Sequence, residues 1–210
     1  MKIELNKDAI RKAESSPRID RTGDYVGIFT KARKITSEKT GTVGIEFEFL
    51  DTSTEATADF LTVYTHKADG TPIYGLNIIN AIMACLKLRT IESRIGKVNM
   101  WSSTEKKKVA QEAEIFPDLM NKAIGVVLQA EEYFTLSGER RERMTLVGCF
   151  EATTRLTASE IIDRQVTPQA LDKWLASLPE IKKARNQPSQ RNTSSVTTSM
   201  PSIPDDDIPF

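Results

Sequence analysis

From residue 25 onward, apolar and polar positions alternate with period two in three successive runs. Val26, Ile28, Thr30 and Ala32 alternate with Tyr25, Phe29, Lys31 and Arg33. Val43, Ile45, Phe47 and Phe49 alternate with Gly44, Glu46 and Glu48, and Leu61 and Val63 with Phe60, Thr62 and Tyr64. Each run reads as a half-buried strand, and the first two as a hairpin. After the turn signal Asp69-Gly70-Thr71-Pro72, the period changes. Leu76, Ile79, Ile82, Met83 and Leu86 recur at helical spacing, so a helix follows the third strand.

Residues 89–120 read as an insert. In it, Ser102-Ser103-Thr104-Glu105 forms a Ser-x-x-Glu capping signature ahead of Lys106-Lys107-Lys108, which predicts a helix ended by Phe116-Pro117. Two further strands, Ile124 to Phe134 and Arg143 to Glu151, flank the turn Leu136-Ser137-Gly138-Glu139. Thr157-x-x-Glu160 and Thr167-Pro168 each mark a helix start, the second helix running to about Leu178 with Pro at its first position. A short amphipathic stretch, Asn6 to Glu14, precedes everything. The expected architecture is mainly β (α+β). It is a five-stranded OB-fold barrel with a helix between strands three and four, an insert and C-terminal helices.

Composition changes that picture at one end. Residues 186–210 carry eight Ser or Thr and four of the nine prolines. Such a stretch buries too little apolar surface to offset its ordering entropy and is expected to be disordered. The domain division is therefore 1–185 as folded body and 186–210 as linker and tip. Basic and acidic residues balance at 29 each, which excludes a histone-like polycation, but the tail's net charge of −2 leaves the body at +2. Cys85 and Cys149 lie 64 positions apart, and His66 is the only histidine, so neither a disulfide framework nor a zinc site is supported. No apolar run reaches the ~20 residues of a membrane span, and Met1 to Asn6 lacks a signal-peptide core. The expected compartment is the cytoplasm, that of a bacterial host if the chain is phage-encoded, with no membrane partner and no cofactor.

The tail ends Pro204-Asp205-Asp206-Asp207-Ile208-Pro209-Phe210, three carboxylates followed by a proline-stiffened aromatic end. As chemistry this is a docking peptide: the ring fills an apolar pocket and the acids meet a basic rim. Asp205 to Phe210 resembles the acidic tip of bacterial single-stranded DNA-binding proteins. The body, through Gly23-Asp24-Tyr25-Val26-Gly27-Ile28-Phe29 and its strand layout, resembles a phage-encoded relative of that family. The resemblance implies an OB-fold that coats single-stranded DNA, largely independently of sequence, during phage DNA replication, recombination and repair. It also implies a tip that recruits replication, recombination and repair proteins.

If the small aliphatics of the first strand point inward, Tyr25, Phe29, Lys31 and Arg33 offer two rings and two cations at spacing two, joined by Phe60 and Tyr64. Rings take base faces and cations take phosphates. Lys34 and Lys39 at the first hairpin loop, Arg140, Arg141 and Arg143 at the second, and Trp101 with Lys106 and Lys107 in the insert complete the candidate DNA-binding set. Ordinary readings stand beside these. Lys31 and Glu46 can form an exposed ion pair across the hairpin, Phe29 and Phe60 can be core, and Lys106 to Lys108 can be a solvated helix face. Glu46, Glu48, Asp51 and Asp59 could hold a divalent cation for a nuclease, but acids at spacing two on strands are usually solvent-facing. No phosphate loop or nucleophile elbow is present, so an enzyme is not expected. A recombination mediator or annealing factor, a metal-dependent nuclease and a protein-binding adaptor are the rival functions. Homo-oligomerisation is left open.

Overall fold

A computed structural model describes residues 17–183 apart from 103, 106 and 136. The amphipathic opening stretch and the tail with its tip lie outside the described residues. The elements are β1 (Gly23–Thr36), β2 (Val43–Asp51), β3 (Thr57–His66), α1 (Gly75–Cys85), β4 (Arg94–Ser102) and β5 (Lys107–Ile115). A 3-10 turn (Pro117–Leu119), β6 (Ala123–Phe134), β7 (Arg140–Phe150), α2 (Ala158–Ile162), α3 (Ala170–Ser177) and β8 (Ile181–Lys182) follow. The strands form one eight-stranded sheet in the order β3-β2-β1-β5-β4, with β6 also on β1, β7 on β6, and β8 parallel to β6.

The fold is mainly β, as expected, but it has eight strands rather than five. The sheet is open: among the described residues β7 pairs only with β6, and β3 has a ladder only with β2, although β3 and β7 lie within 8 Å. The insert supplies two of the extra strands. Its Ser-x-x-Glu signature does form the capping-type bond, the Glu105 backbone N–H donating to Ser102 Oγ at 3.2 Å. It does so in the turn of a hairpin, not at a helix start. Ser favours any backbone that frees a nearby N–H, so the same spacing serves a turn as well as a cap.

β1 organises the sheet by pairing with β6 over Gly23–Ile28 and with β2 over Gly27–Thr36. Where both ladders meet, a Cβ on Gly27 would stand 1.9 Å from the Leu50 carbonyl oxygen, so only glycine allows the approach. Two residues later the register shifts between Phe29 and Lys31, leaving Thr30 as an extra residue. This bulge reverses the facing of everything beyond it. Phe29 and Ala32 both point inward, three apart, whereas strict alternation would have put Ala32 and Phe29 on opposite sides.

The core lies between the inner side of β1–β3, β6 and α1. Phe29 packs against Phe47 with ring centroids 4.5 Å apart and edge-on to Phe49 at 5.8 Å, and Ile79, Ile82 and Cys85 of α1 close over them. A smaller cluster joins Val127 and Phe150 to Leu171 and Trp174 of α3 on the other side of β6–β7. The Thr157-x-x-Glu160 capping box forms as expected. The next helix starts at Ala170, not at Pro168, because Glu160 also accepts the Gln169 and Ala170 N–H groups, at 2.7 and 2.9 Å. Hydrogen bonds from the Thr157 and Gln169 backbones hold the Glu160 carboxyl at about 2, far below its usual 4.5. One buried carboxylate thus caps both α2 and α3.

Candidate nucleic-acid interface

The outer side of β1–β3 is a face of charges. Cross-strand pairing sets Lys31 opposite Glu48 and Arg33 opposite Glu46. Arg33 grips Glu46 with two hydrogen bonds, Nε–Oε1 at 2.9 Å and Nη2–Oε2 at 3.0 Å. Lys31 Nζ lies 3.1 Å from Glu46 and 3.6 Å from Glu48. Lys108 of β5 reaches Glu48 at 2.7 Å and Asp59 at 3.3 Å, and Arg18 reaches Asp59 at 3.1 Å. The result is one unbroken alternating chain, Arg33–Glu46–Lys31–Glu48–Lys108–Asp59–Arg18, four cations against three carboxylates.

The middle of the chain is buried, and its exposed cations are Lys108 and the terminal Arg18. The Lys31 and Glu46 side chains are only 7% and 9% exposed, against 43% for Lys108 and 69% for Arg18, while Arg33 at the other end is 29% exposed. Burial alone would raise the Glu46 and Asp59 carboxyls. Arg33 with Lys31, and Arg18 with Lys108, outweigh it and hold both below their ordinary values. Burial likewise pulls the Lys108 ammonium down, and Glu48 and Asp59 more than reverse this.

Beside the chain stand two exposed rings of β3. A bulge sets Asp59 and Phe60 against the single residue Glu48, with Phe60 at φ +59, and its ring is 57% exposed. Tyr64, four residues on along the same side, is 38% exposed. The Lys31 ammonium lies 5.7 Å from the Phe60 ring centroid, a cation–π distance. The β4–β5 ribbon forms the opposite wall. Ile115 pairs with Arg33, so the row Ile115, Ala113, Gln111 and Val109 continues the outer face. That row and the facing Gly96, Val98 and Met100 are at least partly buried, whereas Ile95, Lys97, Asn99 and Trp101 on the reverse are exposed. The ribbon is tied down by Lys34 to Glu114 at its base and by Lys108 near its tip.

Of the candidate DNA-binding residues, Lys31, Arg33, Phe60 and Tyr64 come together on this face. Phe29 does not: it is fully buried against Phe47 and Phe49, and the bulge at Thr30 puts Lys31 and Arg33 on the opposite side from it. Tyr25 is half-buried against the core, its hydroxyl donating to the Arg21 carbonyl at 2.8 Å. Lys31 is no exposed cation either, since two carboxylates enclose it. Lys34 is a strand residue bound to Glu114, and Lys39 stands exposed in the β1–β2 turn. Trp101 lies on the outward row of the ribbon, Lys107 pairs with Glu105, and Lys106 is outside the described residues. Arg140, Arg141 and Arg143 sit on the distal half of β7, each with an acid partner: Glu132, Glu139 and Glu131. Arg18, Lys108, Glu48 and Asp59 complete the chain. The acids stood in the sequence only as nuclease candidates, and the contacts they make span up to 60 residues.

Those acids are already committed. Asp51 closes the β2–β3 turn by accepting from the Ser53 N–H and hydroxyl at 2.9 and 2.8 Å and from Thr54 Oγ1 at 2.6 Å. Among the described residues, no group of three or more His, Cys, Asp or Glu side chains converges in a metal-holding arrangement. No helix there is long and apolar enough to cross a membrane. On the far side, a cleft of about 600 Å³ opens between α1, β7 and α3, bordered by Tyr74, Trp174 and Lys173. The two thiols are unbonded and buried, with Sγ atoms 3.7 Å apart. No protein-family model, curated protein or solved structure matches the chain.

Proposed function

We propose that the protein binds single-stranded DNA along the outer face of β1–β3, without catalysis, and that Asp205 to Phe210 recruits replication, recombination and repair proteins to it. The observation that carries the reading is the pairing of two exposed rings, Phe60 and Tyr64, with an ion chain of four cations and three carboxylates in which the cations Arg18 and Lys108 are exposed. Rings accept base faces of any sequence, and Arg18, Arg33 and Lys108 accept phosphates. In this reading β1, β2, β3, β6 and β7 are the five strands of an OB-type arrangement, with α1 between the third and fourth. β3 lies beside β7 where such a barrel closes. The β4–β5 ribbon is then an added wall of the groove. Because the carboxylates are spent on neighbouring cations, binding is favoured over metal-assisted cleavage.

Titration of the full chain with a fluorescent oligothymidylate tests it. Affinity should fall steeply from low to moderate salt as counterion release is lost, and Phe60→Ala should weaken binding by roughly 5- to 150-fold, the loss of one stacked base. Absence of binding in dilute buffer, or a flat salt response, overturns the reading.

A further inference from the structure

Two thiols meet where the sheet is not closed. No ladder joins β3 to β7 among the described residues, and α1 packs across both strands instead. Cys85 is the last residue of α1 and Cys149 the penultimate residue of β7. Both are buried, and a hydrogen bond with the Sγ atoms 3.7 Å apart ties the end of the helix to the strand. A single buried thiol is an ordinary small apolar side chain. Two in contact are one step from a covalent bond. A disulfide needs about 2.05 Å between sulfurs, so each has to move by less than ~1 Å, within the reach of side-chain rotation. Among the described residues no third His, Cys, Asp or Glu joins them to hold a metal.

Burial alone leaves such a pair inert, because an oxidant has to reach one of the sulfurs. Here there is a route. Cys149 lines the cleft of about 600 Å³ between α1, β7 and α3, together with Ala81, one turn before Cys85. Clefts of that size hold whole drug-sized molecules, so a small hydroperoxide has room to enter. The contact with Cys85 and burial push the Cys149 thiol up, so its thiolate is scarce at neutral pH and its oxidation is slow.

We propose that Cys85 and Cys149 are a redox site, which a small hydroperoxide converts to a disulfide fastening α1 to β7 across the open side of the sheet. The Cys149 sulfur attacks the peroxide: an S–O bond forms, the O–O bond breaks, and the departing oxygen takes the thiol proton and leaves as water. The Cys85 sulfur then attacks the Cys149 sulfur. The S–S bond forms, the S–O bond breaks, and the Cys85 proton leaves with the hydroxide as a second water. Two electrons pass from the sulfurs to the peroxide. The cross-link spans 64 positions, including all of β4, β5 and β6, and so restricts the unfolded chain. The site stands apart from the DNA-binding reading.

Intact-mass and peptide analysis of the reduced full chain after mild hydrogen peroxide treatment tests it. The folded chain should lose two hydrogens, yield a peptide linking Cys85 to Cys149, and melt roughly 4–16 °C higher, all reversed by dithiothreitol. Cys85→Ala should instead take up oxygen at Cys149 and gain no thermal stability. The wild-type comparison needs no variant to fold. Oxygen uptake without cross-linking in wild type, cross-linking between chains, no reaction of the folded chain, or a linked form that melts no higher than the reduced one overturns the inference.

Discussion

The β6–β7 and β4–β5 hairpins are of similar length but held by different forces. Ile124 to Ala130 of β6 are all buried, against α1 on one side and α3 on the other, and only the distal half turns to charge pairs such as Arg143 with Glu131. On the ribbon only Val98 and Ile115 are buried, and it is anchored by Lys34–Glu114 and Lys108–Glu48. Core burial makes the first hairpin part of the folding unit. Solvent-accessible ion pairs are worth about 1 kcal/mol or less each, so the second is a weakly held appendage over the outer face.

The comparison breaks most visibly under truncation. Leu128→Ala in β6 should cost about 2–5 kcal/mol in denaturant unfolding, whereas Trp101→Ser on the ribbon should stay within about 0.5 kcal/mol for a monomeric sample. Comparable losses would mean that the ribbon belongs to the cooperative core.

Next in size is the carboxylate behind β7. Glu160→Ala removes the cap of two helices and should cost roughly 1–3 kcal/mol at neutral pH. Its folded value of about 2 lies below the ordinary 4.5, so its contribution is complete above pH 4.5 and disappears as pH falls towards 2. In acid unfolding, the stability difference between wild type and Glu160→Ala should therefore shrink across that window. A gap that persists at pH 2 would sink the linkage.

The smallest expected effect concerns the ion chain. Glu48→Gln leaves Lys108 with Asp59 as its remaining carboxylate and relieves Lys31 of one partner, and Glu46 remains to neutralise the buried ammonium. Oligothymidylate affinity should rise several-fold, by about 0.5–1.5 kcal/mol. Unchanged or weaker binding would show that phosphates do not compete with these carboxylates.

Much of this was legible in the chain. The three opening strands, α1, the β6–β7 hairpin and the Thr157–Glu160 box all follow from periodicity and capping chemistry, which are local. Two features were not. The extra residue at Thr30 leaves no mark on an alternating pattern, yet it decides that Phe29 is core and Lys31 is not. The ribbon's Ser-x-x-Glu is ambiguous between cap and turn, and only the pairing partner resolves it. The ion chain was half visible as cations and acids at spacing two on facing strands. Joining them needs register and long-range contact, neither of which a period encodes.

The most direct test is photo-cross-linking of the full chain to oligothymidylate, with the attached peptides mapped by mass spectrometry. Attachment should concentrate on Phe60 and Tyr64 of β3 and be lost in moderate salt. Attachment instead at Tyr74 or Trp174, which border the far cleft, would place the nucleic acid on the other side of the molecule and contradict the account.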